Sequence, residues 1–265
     1  MTFLLYETAG SVATLTLNRP DSRNHLGEDG DGAAFAEVVE RINLDRALRC
    51  VILTGAGAAF SAGGNVKTMR ERAGMFSGAG VHVRERYRHN IHRIVRAVWG
   101  IELPVIAAVN GAAVGLGNDV ACLADMRIAS DKAVFGASFL RLGLIPGDGG
   151  AWILPKVVGA ARAAELLYTG DLIDAETALA WGLVSKIVPG DSLMAEARTL
   201  AEKIARQPPD VLRMTKRLLR EGQQASFDTI MELSAAMQSL AHLTEDHAEA
   251  VNAFFEKRQG DFKGR

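Results

Sequence analysis

"PVIAAVNGAAVGLGNDVACLADMRIAS", residues 104–130, decides the fold. It opens on an unbroken apolar run, Val105–Val109, of the kind found when both faces of a sheet are covered. A Gly-rich turn follows, and Gly115 and Gly117 introduce a helical stretch that carries Asp119. "MRIAS" at 126–130 then reads as a second strand. Strand, glycine turn, helix and strand in that order are an α/β unit, whose ligand sites lie in the loops after the strands.

The same pattern recurs outward from this segment at intervals of about 50 residues. Upstream, "CVILTG" (50–55) is a buried-type strand, followed by the loop "FSAGGNVK" (60–67) and an amphipathic helix over 81–99. Further upstream lie two strands over 2–7 and 12–17 and a helix over 33–47. Downstream, "AVFGA" (133–137) and "SKIV" (185–188) are short strands on either side of a helical pattern over 149–183. From about 191 onward helices dominate, with a Pro-marked break at "RQPPD" (206–210). The reading divides the chain into a core, 1–195, and a helical region, 196–265.

The totals exclude several classes. With 265 residues and a net charge of -1, the chain carries no global attraction for nucleic acid or anionic membrane. Its most apolar window, 103–124, is interrupted by Asn110, Asn118 and Asp119, which argues against a membrane span. Cys50 and Cys122 both sit in apolar strings, consistent with a reducing compartment, and the N-terminus has no basic leader. The expectation is a soluble cytoplasmic protein. No metal-ligand spacing is apparent. His89 and His92 stand among Arg84, Arg86, Arg88 and Arg93 and read as a solvated helix face. "GAGAAF" imitates a dinucleotide fingerprint, but Phe60 occupies the third glycine's place.

Three loops are suited to chemistry. "FSAGGNVK" brings small residues and free backbone N–H groups after a strand. "GLGNDV" (115–120) offers the positive end of a helix to a developing oxyanion, where one donor is worth roughly 3 kcal/mol in a transition state. Asp119 there is either a stabiliser of the helix N-terminus or a catalytic acid. "LRLGLIPGDGGAW" (140–152) sets Asp148 among glycines, either as an N-cap or as a second catalytic carboxylate.

Taken together, "LNRPDSRN", "AFSAGGNVKTM", the segment 104–130, "FGASFLRLGLIPGDGGAWILPKVVG" and "AFFEKRQGDF" resemble the enoyl-CoA hydratase/isomerase family, the crotonases, in order and over nearly the whole chain. The resemblance implies an α/β spiral of repeated ββα units with a C-terminal helical trimerisation region. It implies a homotrimer or a dimer of trimers. It further implies acyl-CoA substrates, in which coenzyme A enters as part of the substrate, with no separate cofactor and no metal. By motif position the backbone N–H groups of Gly64 and Leu116 would form an oxyanion hole for the thioester carbonyl.

Hydratases of the family use two glutamates. The first position holds Asp119; the second holds Phe139, which cannot transfer a proton. Asp148, just downstream, is the candidate for the missing carboxylate. By the same resemblance Arg23, Asn65, Val66, Lys67, Phe254 and Lys257 are the candidate CoA contacts, and Phe139 and Leu140 help to shape the acyl pocket. The stretch 70–80, with Met69 and Met75 as adaptable contacts, reads as a mobile gate. Hydration of a 2,3-enoyl-CoA by Asp119 and Asp148 is the leading expectation. A double-bond isomerase and a non-catalytic acyl-CoA binder are the alternatives; attack by Asp148 as a nucleophile lacks support from any aromatic-rich pocket loop.

Overall fold

A computed structural model describes residues 2–265. The ten strands are β1 (Leu4–Ala9), β2 (Val12–Leu17), β3 (Cys50–Gly55), β4 (Ala59–Ser61), β5 (Val105–Val109), β6 (Ala112–Val114), β7 (Met126–Ser130), β8 (Val134–Gly136), β9 (Leu172–Asp174) and β10 (Lys186–Val188). They form two sheets. The larger runs β1-β2-β3-β5-β7-β10 and is parallel except for the β1–β2 hairpin; the smaller runs β4-β6-β8-β9. Each repeat therefore sends one strand into the large sheet and the next, three residues long, into the small one. β3 leads to β4, β5 to β6 and β7 to β8. This is the expected succession of ββα units.

Helices close both faces of the large sheet. In the first part of the chain these are α1 (Asp31–Leu44), α2 (Val66–Glu71), α3 (Gly80–Arg86), α4 (His92–Trp99), α5 (Leu116–Leu123), α6 (Gly150–Val158), α7 (Ala160–Thr169) and α8 (Ala175–Ala180). One face of the sheet packs Leu15, Val51, Leu53 and Val105 against Phe35, Ile94 and Val98 of α1 and α4. The other packs Ile52, Ile106 and Ile128 against α9 (Leu193–Ala205), whose Ala197, Ala201 and Ala205 recur every four residues. That alanine stripe lets the helix lie close to the sheet. It also explains why β3 and β5 read as continuous apolar runs, with each buried Ile worth roughly 1.5–3 kcal/mol. A division at residue 195 falls inside α9, which is thus part of the sheet's cover.

The remaining helices are α10 (Pro209–Glu221), α11 (Phe227–His242) and α12 (Glu245–Glu256). α11 has no buried residue, and Phe227, Leu243, Phe254 and Phe255 are more than three-quarters exposed.

Several expected elements are placed differently. The first strand is Leu4–Ala9 and the first helix Asp31–Leu44, each displaced by two or three residues because pattern marks an element better than its ends. The helical pattern over 149–183 is broken by β9, which pairs antiparallel with β8. The helix over 81–99 contains a π turn at Tyr87–Ile91. The stretch 70–80 is largely ordered into the end of α2, a 3₁₀ turn at Gly74–Phe76 and the start of α3, and Met75 is buried in the core.

Candidate active site

The three parallel strands of the small sheet, β4, β6 and β8, point their carboxyl ends the same way, and the three loops read from the sequence leave from them. After β4, Gly63 adopts φ +82° and lies so close to the third residue of β6 that a Cβ would stand 2.5 Å from the Val114 carbonyl oxygen and 3.3 Å from the Leu116 nitrogen. Only glycine permits both the dihedral and the approach. The next residue, Gly64, donates its N–H to no protein acceptor. After β6, Gly115 takes φ +55°, ψ -125° and caps α5, while its N–H is held by the Gly136 carbonyl of β8 at 2.9 Å. Leu116 is then the first residue of α5, where the N–H has no intrahelical partner. A Cβ on Gly117 would collide with the Ser61 carbonyl, so the helix start is pressed onto β4. The two expected donors thus belong to adjoining loops fixed by glycines on both sides.

Asp119 lies one turn into α5 with no exposure, and neither carboxylate oxygen completes a hydrogen bond. Its backbone N–H makes the ordinary helical bond to Gly115. It does not cap the helix. The Gly150 amide faces the carboxylate without closing a well-aligned bond, and a Cβ on Gly150 would come within 2.5 Å of Asp119 Oδ1. Burial, then the charge of Asp148, push the Asp119 carboxyl well above the ordinary range, against weaker opposing pulls from Gly150 and Asn118. A buried carboxyl without partners is held protonated by its surroundings.

Asp148 is 5% exposed, and its Oδ1 is buried without a partner. The N-cap of α6 is Gly149, with no side-chain capping bond, so Asp148 does not cap the helix either. Burial raises its carboxyl to about 7. Since Gly150, two residues after Asp148, lies against the Asp119 carboxylate, the acid among glycines and the acid of α5 share one neighbourhood. Two neighbouring buried carboxyls, both raised, are an arrangement suited to general acid–base chemistry.

Phe139 is 8% exposed, and its ring lies against Gly115, with Cε1 3.7 Å from where a Cβ there would stand. It walls the donor loop with carbon. Leu140 does not join it. That side chain is exposed and faces a separate groove beside Pro146, Pro155 and Leu167. Met69 approaches Gly64 closely, whereas Met75 packs toward Gly27 in the core.

Of the other candidates, Arg23 and Lys67 are exposed cations that form no ion pair among the described residues. The Arg23 carbonyl accepts from Ala62 at 2.9 Å, which ties its turn to the first donor loop. Asn65 caps α2 and donates to Glu28 at 3.1 Å; Val66 is exposed beside it. Phe254 and Lys257 are exposed at the end of α12. The tail beyond them bonds to Arg49, just before the amino end of β3, whereas the donor loops follow the carboxyl ends. Within one chain they do not reach the aspartates.

Tyr87, which pattern reading passed over, and His92, which it took for a solvated helix face, lie beside the Asp148 loop. Tyr87 and His92, with Leu144, Ile145 and Gly147, line a cleft of about 540 Å³ beside the Asp148 loop. His92 is bonded to the Gly147 carbonyl at 2.9 Å rather than solvated. Another cleft, about 560 Å³ between Trp99 and α10, contains neither aspartate nor either donor loop. Among the described residues no cluster of three potential metal ligands occurs, and no helix is long and apolar enough to cross a membrane.

Comparison with known proteins agrees with this geometry. Residues 7–265 match the sequence profile of the enoyl-CoA hydratase/isomerase family. The chain is 36% identical to the 1,2-epoxyphenylacetyl-CoA isomerase of Escherichia coli K12, each covered in full. It is also 36% identical to the short-chain-enoyl-CoA hydratase of Clostridium acetobutylicum, over 99% of this chain and 98% of that one. Among solved structures it superposes on an enoyl-CoA hydratase from Bacillus anthracis with a TM-score of 0.93, at 33% identity and complete coverage of both.

Proposed function

Since the chain belongs to the enoyl-CoA hydratase/isomerase family, we propose that it adds water across the 2,3 double bond of an enoyl-CoA, with Asp148 and Asp119 as its two proton-transfer groups. The observation that carries this reading is the pairing of two buried carboxylates, one felt by the other, beside two unbonded backbone donors.

The thioester carbonyl would accept from the N–H groups of Gly64 and Leu116. That polarisation draws electrons from the double bond and leaves the β-carbon electrophilic. Asp148, as the carboxylate, takes a proton from water as the water oxygen bonds to the β-carbon. The displaced electron pair moves to the carbonyl oxygen as an enolate held by both donors. Asp119, kept protonated by burial, then delivers its proton to the α-carbon. The pair ends with its proton on Asp148 and resets by exchanging it with Asp119 or solvent. The enzyme needs no cofactor in this scheme; coenzyme A is part of the substrate. Arg23 and Lys67, both exposed, would meet its phosphates, and Asn65 and Val66 would border its path. Phe254 and Lys257 would serve a neighbouring subunit's ligand in a homotrimer or a dimer of trimers. The exposed aromatic face of α11 and α12 supports such an assembly.

A second reading has its own observation. Phe139 leaves the second family carboxylate position apolar, and one of the relatives is named an isomerase. In a 3-enoyl-CoA, Asp148 would remove an α-proton and Asp119 would return one at the γ-carbon, with no water consumed. Two assays on the purified protein separate the readings. Hydration predicts loss of the enoyl-thioester absorbance of crotonyl-CoA; isomerisation predicts its gain from a 3-enoyl-CoA. Silence in both assays, with measurable binding of a CoA ester, would overturn each and leave a non-catalytic binder.

A further inference from the structure

The helix between β4 and β5 is not a regular α-helix where it passes the Asp148 loop. At Tyr87–Ile91 it widens into a π turn, and the His92 N–H bonds to the Tyr87 carbonyl, five residues back. In an α-helix, residues five apart point about 140° away from each other. A π turn closes that angle and sets positions 87 and 92 on one face. Their rings meet edge to face, with centroids 6.0 Å apart. The turn is held by Asn90, whose side chain accepts from the Gly32 N–H at 2.7 Å and donates to the Gly27 and Glu28 carbonyls at 2.9 and 2.8 Å. A buried amide that satisfies three backbone groups fixes the irregularity firmly. π turns concentrate at functional sites.

Both rings so aligned face the residue before Asp148. A Cβ on Gly147 would stand 3.9 Å from the Tyr87 ring, and the Gly147 carbonyl accepts from His92 Nε2. A carbonyl can only accept, so Nε2 carries the proton. The bond spans 55 positions of sequence and, among the described residues, is the side-chain hydrogen bond that joins the helix to the loop 144–149. Pro146 and Gly147 form a half-buried turn, in which the Gly147 N–H bonds back to the Ile145 carbonyl at 2.8 Å, and the His92 bond ties this turn across to the helix immediately before the Asp148 side chain.

We infer that Tyr87 and His92 are positioning residues: through Gly147 they aim the Asp148 carboxylate at the site it shares with Asp119. The inference rests on Asp148 acting as a proton-transfer group. Neither ring touches the reacting atoms in this account. Their contribution is the orientation of the acid, and a displacement of about 1 Å can cost a hundredfold in rate.

The test is a double-mutant cycle followed by hydration of crotonyl-CoA, with Tm recorded for each variant. His92→Leu is expected to lower kcat about tenfold or more, leave KM within about twofold and leave Tm nearly unchanged. His92→Gln, which keeps a donor of similar reach, is expected to restore most of the loss. In the Asp148→Asn background, His92→Leu is expected to cost nothing further. Should His92→Leu not fold, His92→Asn, too short to reach Gly147, takes its place. Wild-type kcat in the His92→Leu protein overturns the inference, as does an equal loss in both backgrounds. Wild-type turnover in Asp148→Asn alone instead overturns the role of Asp148, and the positioning role with it.

Discussion

Asp148 and Asp119 carry a thermodynamic signature that follows from their burial. Both carboxyls titrate higher in the folded protein than in the unfolded chain, Asp148 at about 7. Between about pH 4 and pH 7 the folded state therefore binds more protons than the unfolded one, and stability falls as pH rises through that window. Asp148→Asn removes one buried charge. It is expected to raise Tm by a few degrees at pH 8 and to have little effect at pH 4. Thermal scans of the two proteins at both pH values check this; a lower Tm for the variant at pH 8 contradicts it. At this scale the sequence was legible where chemistry is written in residue type. Two aspartates in glycine-rich loops and a phenylalanine in place of an acid could be read directly. The Asp148 loop left capping open as an alternative, and the structure removes it, since the N-cap of α6 is Gly149. His92 was misread as solvated, because nothing in its neighbours' types reveals that it turns toward Gly147.

At the scale of elements, the site is a meeting of short strands and helix starts that glycines press together. Gly150, the first residue of α6, is the tightest example on the acid side. Gly150→Ala would push a methyl group into the Asp119 carboxylate. It is expected to cut kcat by at least tenfold while costing only about 1–3 kcal/mol of stability, the range for overpacking a close contact. Retention of full activity in that variant would mean that the two loops do not hold the carboxylates in register. Long buried strands such as β3 and β5 announced themselves by unbroken apolar runs. The small sheet did so only in part. Its strands are three residues long, too short for alternation to build up, and β9 lay hidden within a helical pattern. The π turn was equally hidden, since one extra residue in a helical turn leaves the apolar spacing almost intact.

For the whole molecule, repetition does the work. Three ββα units bring three loops to one side of the small sheet, and the helices from Pro209 onward leave an apolar face uncovered. The fold class and the order of the units were legible because each repeat restates the same strand–glycine–helix grammar. The distance of Phe254 and Lys257 from the aspartates was not, because it depends on how the helical region docks beside the amino end of β3. Light scattering after size exclusion is expected to give three or six chain masses; a monomer at micromolar concentration would contradict the assembly and with it the CoA contacts of α12. The central claim is narrower: Asp148 supplies the second carboxylate that Phe139 does not. The direct measurement is the turnover of crotonyl-CoA by Asp148→Asn, followed as loss of enoyl-thioester absorbance. The account predicts a fall of about a hundredfold or more against the wild type, in the range for a general acid–base group, with the trimer or hexamer intact. Turnover equal to the wild type would contradict it.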